Sequence, residues 1–543
     1  MDRQGAMGPK TCAVCTEPAN QRCGGCHVIY YCCRDHQRLD WKGHRSRCKP
    51  FKVADNKALG RHLIATRDIK VGEVILDEQP LVAGPSQVTP PVCLGCYRIL
   101  TEQSACACLD CGWPMCSEDC ARTPAHRAEC DITKLKKGSK VTVRNFLQPH
   151  PIYQCVTTLR CLYLRDSDPV KWERLQSLES HCEERKKTRR YEDDRVTVAQ
   201  FLRHFFHLQD FEQEEILRVC GILQVNGHEV PVTDPPHVAV YDQASLLEHS
   251  CRPNCSKSFT PDGGLIIHAL EPILKGQHLS ICYTDALWGT ANRRHHLAET
   301  KFFWCRCVRC ADPTEFGTYF SAVRCLSKTC DGYLVPENSL LEDSDLGTTI
   351  WRCGRCSVSE TAPRVLSVLE RVGSALSSMQ KGDPRVCEHF LAQFSPELHP
   401  NHYYLTDVRL ALAQLYGQTS DVGLVGISDQ DLSEKASLCR QVLELMNTLV
   451  PAEHRVRGVL MFELHAAVAE VARRASNRGQ LDPMALRDSL LESKRLLTEA
   501  SFLLSHEPET LPEGKIALQA RKNLTDLNTL LQNIHASIGD SPL

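Results

Sequence analysis

Apolar residues in the last third of the chain recur at helical spacing. Tyr404–Leu415, Ala436–Leu449 and Val459–Val471 each carry such a stripe, with Pro451 and Pro483 marking turns between them. From about Ala362 onward this predicts an all-α region, either an antiparallel bundle or a TPR-like helical array with a concave surface. The middle of the chain has a different texture. Lys57–Thr66 reads as a Gly turn followed by an alternating strand, and Asp68–Gly72 as a turn. Val74-Ile75-Leu76 opens a second strand, with Pro80 suited to an edge. His237–Leu247 is again apolar. Pro261-Asp262-Gly263-Gly264 predicts a hairpin turn into Leu265–Leu270, and Lys275-Gly276 a turn into a strand over His278–Tyr283. Between these strands, residues 150–220 read as mainly helical, with Val156–Leu162 and Phe201–Phe206 as the apolar runs. The charged run Glu183–Arg190 reads as an exposed face or loop, and Asn226-Gly227 as a turn.

Cysteine spacing defines the remaining stretches. Residues 12–48 hold Cys12-x2-Cys15, Cys23-x2-Cys26, Cys32-x3-His36 and His44-x3-Cys48, enough for two tetrahedral zinc ions. Interleaved pairing assigns Cys12, Cys15, Cys32 and His36 to one metal, and Cys23, Cys26, His44 and Cys48 to the other. So short a segment has too little apolar surface to fold alone; each metal contributes on the order of 10 kcal/mol. Residues 93–130 repeat the order of pairs. Cys93, Cys96, Cys116 and Cys120 form one set, and Cys108, Cys111, His126 and Cys130 the other. Cys106 competes with Cys108, and the x2 spacing favours Cys108. Cys325-x4-Cys330 with Cys353-x2-Cys356 forms a zinc-ribbon-like pattern.

Cys305-x-Cys307-x2-Cys310 offers three ligands and wants a fourth. Cys251, in Glu248-His249-Ser250-Cys251-Arg252-Pro253-Asn254-Cys255, has no CxxC partner nearby. Joining the two segments through one metal would gather His249, Asn254 and Tyr283 round a common point.

Composition narrows the class. A chain of 543 residues implies several domains, and a net charge of -2 argues against a protein that coats nucleic acid. The ten Lys/Arg against four Asp/Glu of residues 1–52 read as a solvated face, and the fingers lack the recognition-helix spacing of DNA-reading modules. Met1-Asp2-Arg3-Gln4 does not begin a signal peptide, and no window approaches a membrane span, so a soluble chain in the cytoplasm and/or nucleus is expected. In that setting 31 cysteines read as zinc ligands rather than disulfides. The ten outside the proposed sets (33, 106, 155, 161, 182, 220, 255, 282, 387 and 439) read mostly as core thiols.

Taken together, these motifs resemble the SMYD family, in which a SET lysine-methyltransferase domain is split by a MYND zinc finger. Cys12–Cys48 with Gln37-x2-Asp40-Trp41-x2-His44-x3-Cys48 looks like MYND. Gly60–Thr66 with Lys70-Val71-Gly72-Glu73 looks like the first SET strand pair. Glu248-His249-Ser250-Cys251-x-Pro253-Asn254 is similar to the SET motif NHSCxPN. Lys275-Gly276-Gln277-x5-Tyr283 and Cys305-x-Cys307-x2-Cys310 look like the end of SET and its post-SET zinc. The finger before SET and the ribbon after it look like the arthropod SmydA branch.

The resemblance implies an α+β multidomain chain. An N-terminal MYND finger (1–50) precedes a β-rich SET domain (51–290) interrupted by a second finger (89–131). A post-SET zinc segment (291–315), a ribbon-like segment (316–360) and a helical TPR-like domain (361–543) follow. It also implies S-adenosylmethionine against Gly60, Arg61, His62, Leu63, Glu248, His249 and Tyr283, with Phe303 over the adenine. Tyr283 would orient a target lysine amine, and about six zinc ions would be structural. The partners implied are a lysine-bearing protein substrate, proline-containing peptides docking on MYND, and corepressor or chromatin proteins; a monomer is expected. Two positions depart from the pattern: Glu248 stands where the family has Asn, and Lys301 where it has a channel Tyr. Two readings therefore stand side by side, a protein-lysine methyltransferase acting on histone or non-histone lysines, and a zinc-dependent interaction scaffold or transcriptional regulator with a degenerate SET domain.

Overall fold

The computed structural model describes residues 11–23, 29–45, 48–57, 59–342, 347–418 and 423–538. The β-rich centre is built from short strands: β1 (Phe51–Asn56), β2 (Gly60–Ala65), β3 (Val74–Glu78), β4 (Val82–Pro85), β5 (His228–Val230), β6 (His237–Val240), β7 (Glu248–His249), β8 (Cys255–Phe259), β9 (Leu265–Ala269) and β10 (Ser280–Ile281). β8 and β9 form the expected hairpin, with Gly263 at φ +82° in the turn, and β9 pairs onward to β3. β4, β6 and β5 form a second antiparallel sheet. The strand at Gly60 does not pair with the one at Val74. It pairs antiparallel with β1, a segment too polar (Phe-Lys-Val-Ala-Asp-Asn) to stand out in the sequence. β7 lies parallel to β10, Glu248 opposite Ser280 and His249 opposite Ile281. A parallel pair needs a crossover, and here the β8–β9 hairpin supplies it. The strand expected over His278–Tyr283 contracts to these two residues, with His278 held to Ile64 by an isolated bridge and the chain bending at Tyr283. Leu63, Ile75, Leu247, Phe259, Ile267 and Ile281 close the core between these layers.

The helical insert carries α1 (Val156–Ser167) and α2 (Gln213–Asn226), and α3 (Thr290–Lys301) follows the strands. α1 is buried from Val156 through Leu162, which puts its polar residues to structural use. The run Glu183–Arg190 is not simply an exposed face. Arg185 is fully buried, donating to Asp194 at 2.5 Å, to the Leu217 carbonyl and to Gln224. A guanidinium can be interior only when its donors are matched in this way.

Downstream, β11 (Val323–Arg324), β12 (Tyr333–Pro336), β13 (Ile350–Cys353) and β14 (Ser359–Thr361) make one antiparallel sheet, the ribbon. Seven helices follow: α4 (Ala362–Ser378), α5 (Pro384–Phe394), α6 (Tyr403–Leu415), α7 (Asp429–Leu449), α8 (His454–Asn477), α9 (Pro483–Leu503) and α10 (Pro512–Ile538). Their caps are sequence-encoded: Ser428 accepts from Asp431 N at 3.0 Å and Asp482 from Ala485 N at 2.8 Å, with Pro483 at the first helical position. Each of α7 to α9 packs on the next. At Gly458 a Cβ would stand 2.6 Å from Leu504 Cγ, so the glycine sets how closely α8 approaches the end of α9. No helix among the described residues is long and apolar enough to cross a membrane.

Candidate active site

The four sulfurs of Cys251, Cys305, Cys307 and Cys310 converge, all within 4.8 Å of one another. Cys251 comes from the loop after β7 and the others from the segment after α3, so a single metal held there would join stretches that no sheet connects. A four-thiolate zinc would carry net negative charge, which the surrounding arginines would offset. Arg309 is fully buried and donates to the Cys251 and Ala286 carbonyls at 3.2 and 2.7 Å. Glu315 holds both Arg309, at 2.8 Å, and Arg293, at 3.1 Å. Arg294 donates to the Cys305 carbonyl at 3.0 Å. This arginine shell was not read from the sequence; its only signal was Arg293-Arg294 and Arg309 lying close to ligand cysteines.

Behind this clamp the expected site residues form a continuous arc. Phe303 faces His249 at 5.8 Å between ring centroids. His249 accepts from Tyr283 N through Nδ1 at 3.0 Å, and its Nε2 lies 3.3 Å from Cys251 Sγ. The Tyr283 hydroxyl donates to the Leu247 carbonyl. Burial, then the nearby Glu248, raise its pKa well above the ordinary tyrosine value, so it stays a donor at neutral pH. Asn254 ties the motif to β10, accepting from Ser280 N at 3.0 Å and donating to the His278 carbonyl at 2.8 Å. Glu248 pairs with His278 Nδ1 at 2.8 Å, and His278 stacks on His62 at 4.6 Å. His62 Nδ1 returns to the Gly60 carbonyl at 2.9 Å. Gly60 has φ +65° and open space where a Cβ would stand.

The arc thus presents an open backbone turn, a carboxylate and an aromatic face in sequence. This donor set fits a nucleoside bearing an amino acid: Glu248 offers an acceptor to an ammonium, and Phe303 a ring to a base. Two expected contacts are more limited. The Leu63 carbonyl is taken by Leu279 N at 2.9 Å and its side chain lies in the core. The Arg61 side chain turns away to the Ser177 carbonyl.

Lys301 sits at the inner edge of this region. Its Nζ donates to the Val225 carbonyl at 2.7 Å and lies 5.9 Å from the centre of the Tyr283 ring. Burial, then Lys257 and Arg190, lower its pKa to about 8. Burial, then Lys257 and Lys301, hold His228 well below the ordinary histidine value. The neighbourhood of Tyr283 therefore disfavours added positive charge, a property visible in the sequence only at Lys301.

Four of the remaining metal sets bring their ligands together as the spacing required. Cys12, Cys15, Cys32 and His36 converge, as do Cys93, Cys96, Cys116 and Cys120, Cys108, Cys111, His126 and Cys130, and Cys325, Cys330, Cys353 and Cys356. Cys108 is a member and Cys106 is exposed, which resolves that choice. Cys23 approaches Cys48 at 3.5 Å and His44 Nε2 at 3.3 Å; Cys26 lies outside the described residues. In the second finger His126 turns Nε2 to Cys111 and Nδ1 to Glu129, the latter at 2.9 Å. Glu129 is fully buried and grips Arg160 of α1 through two bonds of 2.7 and 2.9 Å. Arg160 continues to the carbonyls of Ala83 and Leu94, both at 2.8 Å. A carboxylate behind a ligand histidine fixes its tautomer, and here the same carboxylate anchors the finger to β4.

The MYND finger model matches residues 12–48 and the SET domain model residues 60–284. SET domain-containing protein SmydA-8, isoform B, of Drosophila melanogaster is 29% identical over 379 residues, covering 66% of this chain and 79% of the relative. Histone-lysine N-methyltransferase ASHR1 of Arabidopsis thaliana is 22% identical over 423 residues, covering 74% of this chain and 83% of the relative. Histone-lysine N-methyltransferase SMYD3 of Mus musculus is 29% identical over 274 residues, covering 46% of this chain and 59% of the relative. One matched model thus lies on the first finger and the other runs from Gly60 to the residue after Tyr283, so the chain carries a MYND zinc finger and a SET domain and is similar to the SmydA-8 and SMYD proteins that its relatives name.

Proposed function

We propose that the chain is an S-adenosylmethionine-dependent protein-lysine N-methyltransferase. The observation that carries this reading is the fixed geometry of Tyr283, whose backbone N–H is held by His249, itself facing Phe303, and whose hydroxyl donates to the Leu247 carbonyl. The cofactor supplies an electrophilic methyl group when bound. Gly60 and Glu248 would hold its amino-acid end, and Phe303 its base. The hydroxyl of Tyr283, shared with a backbone acceptor, leaves its oxygen to receive a hydrogen bond from a target amine and so to fix the direction of the nitrogen lone pair. The names of the plant and mouse relatives, both histone-lysine methyltransferases, support the reaction class. About six zinc ions would hold the scaffold, with no role in the chemistry.

Purified full-length chain incubated with labelled cofactor and a histone and lysate panel tests the reading. Label transfer that disappears in Tyr283→Phe supports it. No cofactor binding by calorimetry and no transfer to any protein would favour a zinc-dependent interaction scaffold or transcriptional regulator. The observation behind that second reading is the ammonium of Lys301 beside Tyr283, where a target amine would stand.

A further inference from the structure

We propose that His268, His454, His506 and Glu507 form a binding site for one divalent transition-metal ion of the zinc class, at the seam between the SET strands and the C-terminal helices. The four residues come from three places: His268 from β9, His454 from the first position of α8, and His506 with Glu507 from the connection between α9 and α10. The His268 ring centroid lies 5.2 Å from that of His454 and 4.8 Å from that of His506. His454 Nε2 lies 2.7 Å from Glu507 Oε1.

His268 is the residue that points to a ligand. It is 2% exposed, and both its ring nitrogens are buried without a hydrogen-bond partner. An imidazole always has one donor and one acceptor to match, so leaving both unmet in the interior is unfavourable. Hydrogen bonds and one ion pair account for Glu507 and His454. Glu507 Oε1 accepts from Ser258 Oγ at 2.7 Å, Glu507 Oε2 pairs with Arg455 at 3.1 Å, and His454 Nδ1 meets Ser256 Oγ at 2.5 Å. These contacts leave His268 facing two imidazoles with nothing between them to bind.

The chemistry of the set suits a metal. A neutral imidazole is the form that ligates, and a carboxylate beside three imidazoles offsets part of a dication's charge. Ser256 on Nδ1 of His454 directs Nε2 inward, as outer-shell partners of ligand histidines do. Three imidazole nitrogens and one carboxylate oxygen make a zinc-class donor set. It contains no sulfur, unlike the cysteine clusters identified above, and that difference makes it measurable.

The test is Co(II) titration of the full-length protein with zinc held in its cysteine sites. The expected result is uptake of about one further ion per chain, with weak visible absorption and no near-ultraviolet sulfur-to-cobalt charge-transfer band. His268→Gln and His506→Gln should each abolish that uptake, and Zn(II) should raise the melting temperature of the wild type but not of the variants. No uptake beyond the cysteine sites, equal uptake in wild type and variants, or a charge-transfer band accompanying the added ion would each overturn the proposal. Should His268→Gln fail to fold, the wild-type spectrum and His506→Gln decide: a sulfur-free band lost in His506→Gln supports the site, and its absence from the wild type removes it.

Discussion

Tyr283 and Lys301 set opposing demands within one small volume. The tyrosine is positioned to orient an amine, whereas the lysine adds a cation within 5.9 Å of its ring. Tyr283→Phe keeps the packing and removes the hydroxyl. Methyl transfer should fall by roughly 100-fold or more, with cofactor affinity by calorimetry unchanged. Lys301 gives a pH signature. Its pKa is lowered to about 8 in the folded chain, so at pH 7 the ammonium is largely retained at a cost, and that cost is relieved as pH rises through 8. Repulsion towards a protonated amine or a sulfonium fades over the same range. Transfer rates should therefore climb between about pH 7 and 9 beyond the ordinary gain from amine deprotonation. Lys301→Met should raise the rate at pH 7 by about 10-fold and flatten that excess, and an unchanged profile would exonerate the lysine. The departure at Glu248 is milder than its charge suggests, because His278 holds the carboxylate at 2.8 Å.

Among the elements, the second finger depends on a buried relay from His126 through Glu129 to Arg160. Removing one member of a buried, hydrogen-bonded ion pair strands the other charge. Glu129→Ala should thus lower stability by about 3–5 kcal/mol and speed zinc release, read by a colorimetric chelator, while the same change at exposed Glu118 should cost little. This relay also marks the limit of what the sequence disclosed. Zinc ligands were legible because their spacing is local, and the hairpin at Pro261–Gly264 because turn residues act locally too. β1 was not, since its polar composition gave no period and its pairing with β2 is fixed by tertiary packing. Arg185 looked like surface charge because its partners, Asp194 and the Leu217 carbonyl, are matched only once the helices pack. The motif residues of the active site were legible through resemblance, but the Glu248–His278–His62 chain joins segments up to 216 positions apart in number and required the fold.

At the scale of the whole molecule, metal clusters stand where a larger apolar core would otherwise be needed, at both fingers, the post-SET segment and the ribbon. The described cysteines form no disulfide. A strong chelator should therefore lower the unfolding midpoint by tens of degrees and broaden the transition, whereas a reductant alone should leave it in place; scanning calorimetry distinguishes the two. The C-terminal helices are equally part of the frame, because His454 and Glu507 contact Ser256 and Ser258 of β8 directly.

The clamp at Cys251 has a consequence for the order in which the protein is made. A ribosome delivers β7 some sixty residues before the last sulfur that braces it, Cys310, leaves the exit tunnel. Until then the loop at Cys251 stays unclosed, its set of sulfurs incomplete. The SET domain is therefore completed late and abruptly during synthesis, and a cell short of zinc at that moment would accumulate chains whose fingers are finished but whose SET domain is not.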